Sequence, residues 1–176
     1  MQNGLYLTAV GMRKKRILFV DVDIYLVGLS LSKAYTEKAK KWIVDETSLS
    51  EILFAEDSVK TADHSNIAVN LKFVRSVTTH QIVEAFNDSF RDCNPISVQH
   101  FKTALNLSLG ADGMKQGEEV IFVWHNGGGL SIVVNGATKE FISDREIEKR
   151  LLEVYIDPKR TVSPELVKCL RDSIHG

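Results

Sequence analysis

The chain has 176 residues, enough for one domain that buries roughly two-thirds of the surface its unfolded form exposes, so it needs no disulfide or metal to stay folded. Its 22 basic side chains nearly cancel 23 acidic ones, which argues against nucleic acid or an anionic membrane as the primary partner. Cys93 and Cys169 stand alone, no two of the five histidines share ligand spacing, and no apolar run approaches the ~18 residues of a membrane span. Neither a metal nor a cofactor is implied.

Met1 to Thr8 lacks the basic-then-apolar pattern of a leader, so the expected location is cytoplasmic as the sequence stands. Delivery to an organelle by a segment outside this sequence would leave no trace in it. Leu5 to Val10, Ile17 to Val22 and Ile24 to Leu31 are rich in β-branched and aromatic residues and predict strands. Between them the run Arg13-Lys14-Lys15-Arg16 reads as a solvated turn or strand end. Asp21 and Asp23 fall on one strand face, where a wet surface explains them better than acid–base chemistry.

Ser32 to Ile43 has helical spacing, a short helix is expected over Ser50 to Ala55, and Asp57 to Asn66 reads as a loop. Ile67, Val69, Leu71 and Phe73 then alternate with more polar neighbours, as a half-buried strand requires. Thr78 with Gln81 makes a capping box that opens a helix, Asn94-Pro95 is expected to end it, and another helix starts near Ser97. Both sequons, at Asn87 and Asn106, fall inside these helical patterns and are best explained by chance.

Glu119 to Trp124, Leu130 to Val134 and Lys139 to Ile142, separated by His125-Asn126-Gly127-Gly128-Gly129 and Asn135-Gly136, form the clearest meander. The glycine-rich turn lacks the lysine, hydroxyl and following helix of a phosphate loop. Ser143 with Glu146 predicts the next helix start, and Ser163-Pro164-Glu165 the last, with proline at the first helical position. No serine occupies a nucleophile elbow. The tally gives an α+β fold and a single domain over residues 1–176.

Ala9-Val10-Gly11-Met12-Arg13, followed by Val22-Asp23-Ile24-Tyr25-Leu26-Val27-Gly28, resembles the opening strands of the chalcone isomerase superfamily. Blocks at Leu71 to Arg75, Glu119 to Trp124, Gly129 to Gly136, Leu151 to Ile156 and Val162 to Leu166 resemble the family's later segments in the same order. The resemblance spans nearly all of residues 4 to 174 and implies a long antiparallel sheet with helices packed on one face and a ligand cleft between the layers. It also implies ligand contacts at Arg13, Tyr25, Ile82 and Ser89.

In the family's enzymes an arginine at the place of Arg13 steadies a phenolate, which makes Arg13 the one catalytic candidate. A threonine stands where this chain has Tyr25, which resembles the fatty-acid binders instead. The enzymes' tyrosine and asparagine, seven residues apart, fall at Ile82 and Ser89, with Asn87 or Asp88 at the second place after a one-residue slip. An aliphatic side chain at Ile82 cannot replace a phenol's hydrogen bond to a transition state. The resemblance thus implies a small amphipathic ligand, a fatty acid or a chalcone-like phenol. Three functions follow from it as expectations: binding of an amphipathic carboxylate, an intramolecular lyase that closes a phenolate onto an enone, or a non-catalytic module that binds a partner.

Overall fold

A computed structural model describes residues 4–45, 48–54 and 65–175. Among these, six strands, β1 (Leu5–Ile17), β2 (Val20–Ser32), β3 (Ser65–Phe73), β4 (Glu119–His125), β5 (Leu130–Val134) and β6 (Ala137–Ile142), form one sheet in chain order. Every neighbouring pair is antiparallel, so the meander predicted for the last three strands extends across all six. Helices α1 (Lys33–Asp45), α2 (Leu49–Phe54), α3 (Thr79–Ser89), α4 (Pro95–Leu109), α5 (Arg145–Ile156) and α6 (Pro164–His175) pack on one face. This is the α+β architecture expected from the pattern of elements.

The two-residue period builds the core directly. Val27, Leu29 and Leu31 of β2 and Val69, Leu71 and Phe73 of β3 all point toward the helices and are buried. Opposite them, Phe86 of α3 and Phe101 of α4 meet Phe122 of β4 with ring centroids 5.7 and 6.3 Å away. The capping box at Thr78 is present, its hydroxyl accepting from the Gln81 amide and the Gln81 side chain accepting from the Thr78 amide.

Five local expectations are corrected. The predicted strand Ile17 to Val22 is not one element, because Leu18 and Phe19 form the turn between β1 and β2. The basic run does not interrupt β1: Arg13 to Arg16 lie inside it and pair with Tyr25, Asp23, Val22 and Asp21 of β2. β1 is an edge strand, and an edge tolerates charge because water reaches its open side. Asn94-Pro95 opens α4 instead of ending α3, which stops at Ser89; the Asn94 side chain accepts from the Ile96 amide, and Pro95 occupies the first turn. Asp144, not Ser143, caps α5, accepting from the amides of Glu146 and Ile147, while the Glu146 carboxylate accepts from the Asn94 amide. Of the expected loop, Ser65 and Asn66 belong to β3, and positions 57 to 64 lie outside the described residues, as does the expected helix end at Ala55.

α6 sits directly on β1 at Gly11. A Cβ there would meet the Ser163 hydroxyl and would stand 2.5 Å from the Leu166 amide nitrogen and 2.9 Å from its Cα. Two of those three contacts are backbone and cannot swing aside. Gly11→Ala is therefore expected to destabilise the protein by about 1–3 kcal/mol, the range for overpacking, and to lower the urea midpoint at unchanged slope. An unchanged midpoint would show that α6 can slide off the strand at no cost.

Candidate ligand-binding cleft

A cavity of about 220 Å³ opens between the first three strands and the helices, at the end of the sheet nearest the β1–β2 turn. Leu71, Phe73, Ile82, Phe86, Val154 and Val162 give it apolar walls, while Arg13, Tyr25 and Ser89 also line it. The structure thus brings all four sequence-predicted positions, Arg13, Tyr25, Ile82 and Ser89, to one cavity.

Local structure explains how Arg13 arrives there. Arg13 and Tyr25 are cross-strand partners, and the β1–β2 register shifts between Arg13 and Lys14, a bulge of the kind that re-aims side chains beside a cleft. One guanidinium nitrogen donates to the Val162 carbonyl at 3.4 Å, a long bond that leaves most of the donor fork unspent. The half-buried Tyr25 ring stands edge-on to Phe73 with centroids 5.4 Å apart, so the hydroxyl is carried on a fixed ring.

Sequence reasoning missed Tyr155. It belongs to the inward face of α5 and is fully buried; it does not line the cavity, and among the described residues its hydroxyl lies beside the Tyr25 phenol without a well-formed hydrogen bond. The group nevertheless feels both the Tyr25 phenol and the Arg13 guanidinium. Burial pushes the Tyr155 phenol well above its ordinary range, with Tyr25 adding to the rise and Arg13 opposing it. Burial also raises Tyr25, against the pull of Tyr155 and Arg13. Both phenols therefore stay neutral beside a cation, and Tyr25, which lines the cavity, can donate to an anion there. Helical spacing marks Tyr155 as buried, and the one signal for more was a phenol in a stripe otherwise made of Ile147, Leu151 and Leu152.

The other two positions contribute less polarity. Ile82 is buried and presents only hydrocarbon. The Ser89 hydroxyl donates to the Ala85 carbonyl of its own helix at 3.2 Å. Asp88 is drawn away to Arg91, 2.8 Å distant on the surface, and neither Asn87 nor Asp88 lines the cavity. Asp21 and Asp23 are exposed.

A larger cavity of about 450 Å³ opens at the far end of the sheet, beside the β4–β5 turn and Arg145. There the Arg145 guanidinium is already engaged, donating to the Phe54 carbonyl at 2.8 Å and lying 4.9 Å from that residue's ring centre. Among the described residues no group of three acidic, histidine or cysteine side chains is placed to hold a metal ion. No helix among them is long and apolar enough to cross a membrane.

The model of the family described as chalcone isomerase-like matches residues 1–165. The chain belongs to the chalcone isomerase-like family. No curated protein matches it in sequence. Among solved structures it is similar to a fatty-acid binding protein of Arabidopsis thaliana, with a TM-score of 0.74 at 17% identity over 99% of this chain and 90% of that one. At that identity the likeness speaks for the fold. In this chalcone isomerase-like chain the cleft lies between sheet and helices, where the sequence resemblance anticipated it.

Proposed function

We propose that this chain binds a fatty acid or a similar amphipathic carboxylate, with the head group at Arg13 and Tyr25 and the tail along Leu71, Phe73, Ile82 and Phe86. The supporting observation is a cation and a neutral phenol, Arg13 and Tyr25, at one largely apolar cavity, with the buried Tyr155 phenol beside them. A carboxylate accepts from a guanidinium fork and a phenol together. Each methylene moved out of water would add about 0.8 kcal/mol, so a long tail binds well with a single charged contact. The fatty-acid binding protein of the same fold agrees with this reading. The lyase reading finds less support, since Ile82 offers no donor and the Ser89 hydroxyl is held by its own helix.

Mass spectrometry of the native protein is expected to reveal co-purified fatty acid, and titration of a delipidated sample to restore it. The affinity should be flat between about pH 7 and pH 9.5. Both phenols have raised pKa values, so their donor form persists beyond the ordinary tyrosine range near 10. It should weaken only as the ligand's own carboxylate takes up a proton in acid. No co-purified lipid together with no titratable binding would refute the proposal.

A further inference from the structure

The hairpin between β1 and β2 ends in residues that folding does not call for. Leu18 and Phe19 form a two-residue turn between the paired Ile17 and Val20. Leu18 adopts a φ of 57°, a left-handed conformation that strains a branched side chain and for which such turns use asparagine or glycine. Leu18 is 87% exposed and Phe19 91% exposed, with Ile17 and Val20 extending the apolar tip at 49% and 64%.

Directly behind the tip β1 carries Lys15 and Arg16, both exposed and in no ion pair among the described residues. Arg75 joins them, its Nε donating to the Asp23 carbonyl at 2.7 Å. The carboxylates of Asp21 and Asp23 offset part of this charge, and Lys14 is bridged to Glu165 at 2.9 Å. With Arg75, the five cations still outnumber the three carboxylates of Asp21, Asp23 and Glu165, so this end of the hairpin is positive in a chain of net charge −1.

We propose that the hairpin tip docks the protein on an anionic lipid surface, with Leu18 and Phe19 entering the interface and Lys15 and Arg16 meeting the headgroups. At about 3.3 Å per residue the two cations stand roughly 7–10 Å behind Leu18, close to the depth of roughly 5–10 Å at which interfacial apolar groups settle. A second protein would gain little here, because a two-residue tip offers far less area than the roughly 800 Å² per partner of a stable protein interface. An apolar point backed by cations instead matches the layering of an anionic bilayer surface. Lys15 and Ile17 also line the cleft, so docking turns its mouth toward the membrane. That consequence depends on the proposed ligand; the docking does not.

The full chain would be co-sedimented with phosphatidylcholine vesicles, with and without about a third phosphatidylglycerol. Wild-type protein is expected to pellet with the anionic vesicles, less with neutral ones, and less again at high salt. The double substitution Leu18→Gly, Phe19→Ser should lower the partition coefficient by about tenfold or more. Its melting temperature should hold or rise, since glycine suits the positive φ at position 18. Phe19→Trp supplies a second readout, a blue shift of indole emission on adding anionic vesicles. Fatty-acid binding without vesicles should be unchanged in the double variant, so failure of docking and failure of ligand binding are read separately. The proposal is overturned if wild type stays in the supernatant, if the double variant binds as wild type does, or if the Phe19→Trp emission does not move. Dimerisation through the tip in sedimentation velocity, without vesicle binding, overturns it equally.

Discussion

Arg13→Gln is expected to weaken fatty-acid binding by about 10- to 150-fold, the equivalent of roughly 1.5–3 kcal/mol for hydrogen bonds to a charged group. The melting temperature should change little, because among the described residues the Arg13 side chain's hydrogen bond is a long one, to the Val162 carbonyl at 3.4 Å. A fatty alcohol of equal length separates the head-group role from a role in shaping the cleft. Wild type should bind the alcohol more weakly than the acid, and the variant should bind the two about equally, since the charge that distinguished them is gone. Isothermal titration of both ligands against both proteins closes the cycle. Equal losses for acid and alcohol in the variant would mean that Arg13 props the cleft open and does not hold an anion.

Phe122→Ala should cost about 3–5 kcal/mol of stability, the range for truncating a fully buried aromatic side chain. Phe122 is fully buried on β4, with its ring edge-on to Phe86 at 5.7 Å and tilted against Phe101 at 6.3 Å, so its loss opens a hole where α3, α4 and the sheet meet. In a chain of this length about 1 kcal/mol shifts the melting temperature by roughly 2–4 °C, which places the expected drop at roughly 6–20 °C by calorimetry. Leu107→Ala on the outer side of α4, where the side chain is 66% exposed, should stay within about 0.5 kcal/mol of wild type. Phe86 touches Phe122 and also lines the cleft, so the core variant should weaken ligand binding as well. A drop no larger than that of Leu107→Ala would show that the aromatic cluster is loosely packed and does not join the two layers.

The proposed docking site shows why whole-chain charge is a blunt guide. Near-neutral composition argued against an anionic membrane, yet it averages over position. The sheet register pairs Arg16 with Asp21 and sets Lys15 and Arg16 behind an apolar turn, a segregation that no sum over residues contains. The same register explains the misreading of Arg13 to Arg16 as a turn: local polarity signals solvent, but it cannot distinguish a loop from an edge strand whose partner supplies the hydrogen bonds.

What the sequence determined by itself is local in origin. Periods of two and of about three and a half, the Thr78 capping box and the glycine-rich turns set the types of elements, because each depends on residues within a few positions of one another. Resemblance to the family added Arg13 and Tyr25, which share one β-ladder rung and one cavity. Only the tertiary structure brought the Tyr155 hydroxyl from α5 to that pair, made Asn94 a helix start instead of a stop, and left Leu18 and Phe19 in water. Burial and convergence are set by contacts between segments far apart in the chain, and neighbouring residues carry no record of them.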